Sequence, residues 1–121
     1  MTKNMMKFGN YHAVISYDPE IEMFRGEFVN LNGGADFYAS TVEGLREEGH
    51  KSLDIFLEEC QKAGIEPVKH YSGKFMVRVS SKVHEAAALL AASEGKSLNQ
   101  LAEDALLAAI ADSDEKYALA A

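Results

Sequence analysis

The stretch Ser72-Gly73-Lys74-Phe75-Met76-Val77-Arg78-Val79-Ser80-Ser81 decides how this chain is read. Alternation puts Phe75, Val77 and Val79 on one face and Lys74, Met76 and Arg78 on the other, as in a β-strand. Two helical patterns follow, split by Gly95-Lys96-Ser97, and no second strand lies within the segment. A lone strand can neither bury its apolar face nor satisfy its backbone hydrogen bonds. The economical partner is a second copy of the chain, pairing antiparallel across a two-fold axis. The outer face of that ribbon would carry two copies each of Lys74, Met76 and Arg78. A two-stranded ribbon fits the major groove of B-DNA, where such side chains read base edges. The C-terminal third thus reads as a dimeric DNA-binding module.

Helix A of this module should run from about Lys82 to Glu94, capped by Ser80 or Ser81, stopped by Gly95, with Val83, Ala87 and Leu90 facing a core. Helix B opens with Ser97-Leu98-Asn99-Gln100, a capping-box spacing, and should bury Leu98, Leu101, Ala102, Ala105, Leu106 and Ala109. The free N–H groups of Leu98 and Asn99, the positive end of the helix dipole and the charge of Lys96 make an anion site. On a groove-bound dimer they would clamp phosphates, contacts that orient a protein without reading sequence. Taken alone, each feature also has a plainer reading, a solvated edge strand and an ordinary capped helix.

Working outward, residues 8–17 read as a strand with Tyr11, Ala13, Ile15 and Tyr17 on one face. Asp18-Pro19-Glu20 is a turn signal, residues 23–30 a second strand, Asn32-Gly33-Gly34 another turn and Ala35–Ala39 a short third strand. Ser40-Thr41-Val42-Glu43 has capping-box spacing, and Val42, Leu45, Gly49, Leu53, Phe56, Leu57 and Cys60 form a helical stripe. Gly49 on that stripe predicts close approach of helix to sheet. The helix should end at Ala63, with Gly64 as a left-handed cap and Pro67 beyond. Residues 65–73 read as a linker with an edge strand near Val68. The domains expected are 1–70, an α+β unit, and 71–112, a strand–helix–helix unit, with a frayed tail over 113–121.

The chain has 121 residues, 47% apolar and 26% charged, with a formal net charge of −7. Composition of this kind suits a folded protein. The acidity argues against nucleic acid as a partner, but it is unevenly spread. Residues 1–70 carry a net −5, residues 71–100 a net +2, and acid returns after residue 100. A basic island in an acidic chain suits two ends that address two different partners. No apolar run reaches the ~20 residues of a membrane helix. Lys3 and Lys7 precede no signal-peptide core, and a single Cys60 fits a reducing cytoplasm. A soluble, cytoplasmic protein is expected.

Catalysis finds little support. Asp18, Glu20, Glu22, Glu27 and Asp36 could gather around Mg²⁺ for phosphodiester hydrolysis, but no His or Lys completes a catalytic set beside them. A solvated face, or one that docks a basic protein, is the simpler reading. His12, His50, His70 and His84 show no metal-ligand spacing with Cys60 or each other. Gly33-Gly34 lacks a phosphate loop's context, and nothing resembles an activated nucleophile. No enzyme activity, cofactor or metal is expected.

The segment Ser72-Gly73-Lys74-Phe75 through Arg78, with His84 and Glu94-Gly95-Lys96-Ser97-Leu98-Asn99-Gln100, resembles a ribbon-helix-helix domain. In particular it resembles those ending HicB-type antitoxins of bacterial toxin–antitoxin pairs. Phe24-Arg25-Gly26-Glu27-Phe28-Val29, Ser40-Thr41-Val42-Glu43-Gly44-Leu45 and Gly64-Ile65-Glu66-Pro67 are similar to the N-terminal part of that family. The resemblance covers roughly residues 8–110. It implies a degenerate, partial RNase-H-like N-terminal domain without nuclease activity that binds a small, basic, RNA-cleaving HicA-type toxin. It also implies a homodimer, or a higher homo-oligomer, that represses its own operon at an operator DNA. Lys74, Met76 and Arg78 occupy the family's groove-facing positions, and Lys96, Ser97, Leu98 and Asn99 its phosphate-clamp turn. The toxin-binding residues stay unassigned. Ser80-Ser81 stands where prolines are frequent, and Met76 where a polar residue is frequent. An orphan ribbon-helix-helix regulator with an N-terminal sensor is the alternative function, and a nuclease using the acidic cluster a third.

Overall fold

The computed structural model describes residues 4–113, which are α+β: a four-stranded antiparallel sheet followed by three helices. They fall into two compact units, joined between Ser72 and Gly73.

The first unit begins with a hairpin. β1 (Met5–Phe8) pairs antiparallel with β2 (Tyr11–Asp18) in the register Phe8↔Tyr11, so only Gly9 and Asn10 make the turn, with Gly9 at φ 64°. The sequence reading placed a single strand at 8–17 and missed β1. The Gly-Asn pair between two apolar runs is a hairpin signal that would have exposed it. β3 (Met23–Phe28) and β4 (Asp36–Ala39) complete the order β1-β2-β3-β4. β3 ends at Phe28, two residues short of the expected 30, because Asn30 turns to a positive φ of 62°.

α1 (Val42–Ala63) crosses one face of this sheet. Its N-cap is Thr41, whose hydroxyl accepts from the Gly44 N–H at 2.9 Å, so the expected capping box on Ser40 is displaced by one residue. That shift puts Gly44 rather than Glu43 at the reciprocal position. The C-cap follows the sequence: Gly64 adopts φ 68° and its N–H bonds back to Gln61. The stripe Leu45, Gly49, Leu53 and Cys60 is buried, whereas Val42 stands outside it and is exposed.

Helix and sheet meet over Phe8, Phe28 and Phe37, whose ring centroids lie 5.1 to 5.7 Å apart in edge and tilted contacts. Such contacts are preferred because ring edges are positive and ring faces negative. A side chain on Gly49 would run into the Phe8 ring, and one on Gly26 into Phe37, so each glycine makes room for a phenylalanine. Arg46 fastens the helix to β1, donating to the Lys7 carbonyl at 3.1 Å and lying 5.6 Å from the Phe8 centroid. Ser52 does the same for β4, donating to the Asp36 carbonyl at 3.2 Å.

Beyond α1 the chain folds back as a strap. Leu31 and Val68 form a β-bridge, where an edge strand was expected. The Asn32 N–H donates to Pro67 and the Lys69 N–H to Asn30. The Asn32 amide donates to the carbonyls of Glu66 (2.8 Å) and Val68 (3.2 Å), and the Tyr71 hydroxyl to Asn30 Oδ1 (2.6 Å). Almost every strap residue is exposed, so hydrogen bonds rather than burial hold it.

The second unit contains α2 (Ser81–Ser93) and α3 (Leu98–Ala111), preceded by residues 74–80, which form neither helix nor strand in the single chain. Both caps are serines: Ser80 accepts from Val83 N–H at 3.2 Å and Ser97 from Gln100 N–H at 3.0 Å. The tail expected from residue 113 lies, after Ser113, outside the described residues. No helix among the described residues is long and apolar enough to cross a membrane.

Candidate nucleic-acid interface

The second unit has almost no interior. Ala91 is its one buried apolar residue among those described, and α3 buries none. The expected core faces of both helices are therefore largely uncovered in the single chain: Val83, Leu90, Leu98 and Leu106 are all exposed, while Ala87 and Leu101 are half-buried. Phe75, Val77 and Val79, on the inward face of the proposed strand, are 71%, 63% and 50% exposed. Side chains of this size each gain about 1.5–3 kcal/mol on full burial. A unit of about forty residues with this much apolar surface in water is below the size at which a chain closes its own core.

The structure gathers part of the predicted interface. Lys74, Phe75 and Val77 line one side of an open groove whose other side is Leu98, Asn99, Ala102, Glu103 and Leu106 of α3. The start of the strand segment and the first turn of α3 thus line one groove. Met76 is 92% exposed, and Arg78 is exposed as well.

Lys96 is placed differently from its expected role. Its Nζ lies 2.9 Å from Asp104 Oδ2 and 3.4 Å from Glu94 Oε2. The hydrogen bond to Asp104 is the main cause that raises the Lys96 pKa above its ordinary value, and the same bond, with one from Gln100, lowers that of Asp104.

The acidic cluster of the first unit divides. Asp18, Glu20 and Glu22 lie at the β2–β3 turn, where Asp18 accepts from the Glu20 N–H at 3.0 Å. Glu27 and Asp36 sit opposite each other on β3 and β4, and both bind Arg25. Asp36, then Glu27, hold the Arg25 guanidinium in its charged form well above its ordinary pKa. Among the described residues no three His, Cys, Asp or Glu side chains are grouped so as to hold a metal ion.

Residues 56–106 match the model of the HicB family. The match runs from the second half of α1 through the strap, the 74–80 segment and α2 into α3. Neither a curated protein nor a solved structure gives a match.

Proposed function

We propose that this HicB-type chain is the antitoxin of a type II toxin–antitoxin pair. Its first unit binds and neutralises a small HicA-type RNA-cleaving toxin. Its second unit dimerises as a ribbon-helix-helix and represses the operon encoding the pair. The observation that carries this reading is the uncovered apolar row Phe75, Val77 and Val79 beside two capped helices that bury only Ala91. Antiparallel pairing of two such segments satisfies their backbones and covers that row.

On the opposite face of the ribbon, Lys74 and Arg78 suit guanine O6 and N7, and Met76 suits a thymine methyl. The N–H groups of Leu98 and Asn99, at the start of a helix capped by Ser97, are available to phosphate. For the first unit, charge supports a basic partner. α1 carries six Asp or Glu against three Lys or Arg, a field that attracts a protein built to bind RNA. The proposal is non-enzymatic: the toxin's chemistry is blocked, and none is performed here.

Expressing the adjacent short reading frame with and without this protein tests the toxin half. Growth arrest alone and rescue together support it; no arrest removes it. Lys74→Ala with Arg78→Ala tests the division of labour. Promoter binding should fall while neutralisation stays intact, and loss of both would refute separate surfaces.

A further inference from the structure

The surface proposed to meet DNA belongs to a unit that is not basic. Residues 73–113 carry Lys74, Arg78, Lys82 and Lys96 against Glu85, Glu94, Glu103, Asp104 and Asp112. Lys96, the cation of the α2–α3 turn, is only 28% exposed and is held by two carboxylates. Asp104, the closer, is itself fixed. Its Oδ2 accepts from Lys96 Nζ at 2.9 Å and its Oδ1 from Gln100 Nε2 at 2.9 Å. With both oxygens engaged, the carboxylate is oriented rather than free to swing. Asp104 lies six residues beyond Leu98, about 9 Å along the helix axis. The Lys96 ammonium is therefore committed to Asp104 and Glu94.

We infer that Asp104, oriented by Gln100, is a positioning residue that withholds Lys96 from DNA phosphate and so sets how strongly this unit grips the duplex backbone. The inference rests on the DNA-binding reading above. A phosphate arriving at the start of α3 must compete with a preformed ion pair for a single ammonium. Direct repulsion between Asp104 and that phosphate is screened by salt and offset by the lysine between them. Diversion of the lysine is the dominant effect. Phosphate contacts carry no sequence information, so the device lowers affinity for DNA in general and leaves base reading at Lys74 and Arg78 untouched. Specific and non-specific binding fall together, and the ratio between them is unchanged.

The test uses the full chain and a random-sequence DNA duplex, with affinity measured by fluorescence anisotropy across a salt series. Lys96→Ala in the wild-type background should change affinity by less than about twofold, because the ammonium is already committed. Asp104→Asn should tighten binding about threefold per protomer, hence about tenfold for a dimer, the scale of an exposed ion pair. Its salt dependence should steepen by about 0.9 per protomer as each freed lysine gains a phosphate. The gain should vanish in the double variant. A Lys96→Ala loss of tenfold or more overturns the inference, as does an Asp104→Asn variant with unchanged salt slope. Should Asp104→Asn fail to fold, the effect of Lys96→Ala alone still decides. Failure of the wild-type chain to bind duplex at low salt is a distinct result, which removes the DNA reading and this inference with it.

Discussion

The two units solve the same problem with opposite means. Residues 4–72 close a core of nine buried apolar residues around three phenylalanines, with α1 laid across one face of the sheet. Residues 73–113 hold a comparable supply of apolar side chains, yet ten large ones stand exposed and one alanine is buried. The difference lies in topology rather than composition. Four strands and a long helix give the first unit two layers to press together. One short segment and two short helices give the second only one and a half. A chain can thus close its core at one end and leave it open at the other.

That contrast is open to disruption. The largest effect is expected from Val77→Asp, which puts a charge into the apolar row. Dimerisation and duplex binding should be lost outright, while thermal unfolding of the first unit is unchanged; sedimentation and circular dichroism would show both. A chain that still dimerises after this change would erase the contrast. Leu45→Ala does the reverse, emptying the most deeply buried large side chain of the first unit. It should cost about 3 kcal/mol in that unit's unfolding transition and leave self-association alone. Smaller again is Thr41→Ala, expected to cost about 1 kcal/mol by removing the N-cap, whereas Ser40→Ala should be within about 0.3 kcal/mol of wild type. Denaturant melts of both variants locate the cap. The smallest is Tyr71→Phe, which deletes one exposed hydrogen bond. It should leave the global transition within about 1 kcal/mol while accelerating amide hydrogen exchange over residues 65–71.

Much of this was legible before any coordinates. Gly64 declares the end of α1 and Ser97 the start of α3, because each residue type has a backbone reason to stand there. Gly49 announces close packing, and Phe8 is the ring that requires it. Two misreadings have separate causes. Ser40 and Thr41 are both competent caps, and the choice depends on where β4 releases the chain, which no local pattern states. β1 hid because Met5-Met6-Lys7-Phe8 does not alternate, so the turn at Gly9-Asn10 carried the whole signal. The pairing of Lys96 with Asp104 escaped for a different reason. It joins a loop to a helix eight residues on, and a basic residue beside a helix N-terminus invites an anion as readily as a carboxylate.

The strap has a consequence for how far one end of the chain can wander from the other. While Asn32 and Tyr71 hold it, the strap is tied to the first unit as far as Tyr71, next to the junction at Ser72 and Gly73. If it lifts, the slack begins at Ile65, and nine residues of extended chain reach about 30 Å. The sphere accessible to each end then grows by orders of magnitude in volume, and its effective concentration near the other falls in step. Five exposed hydrogen bonds thus meter the leash between the two units.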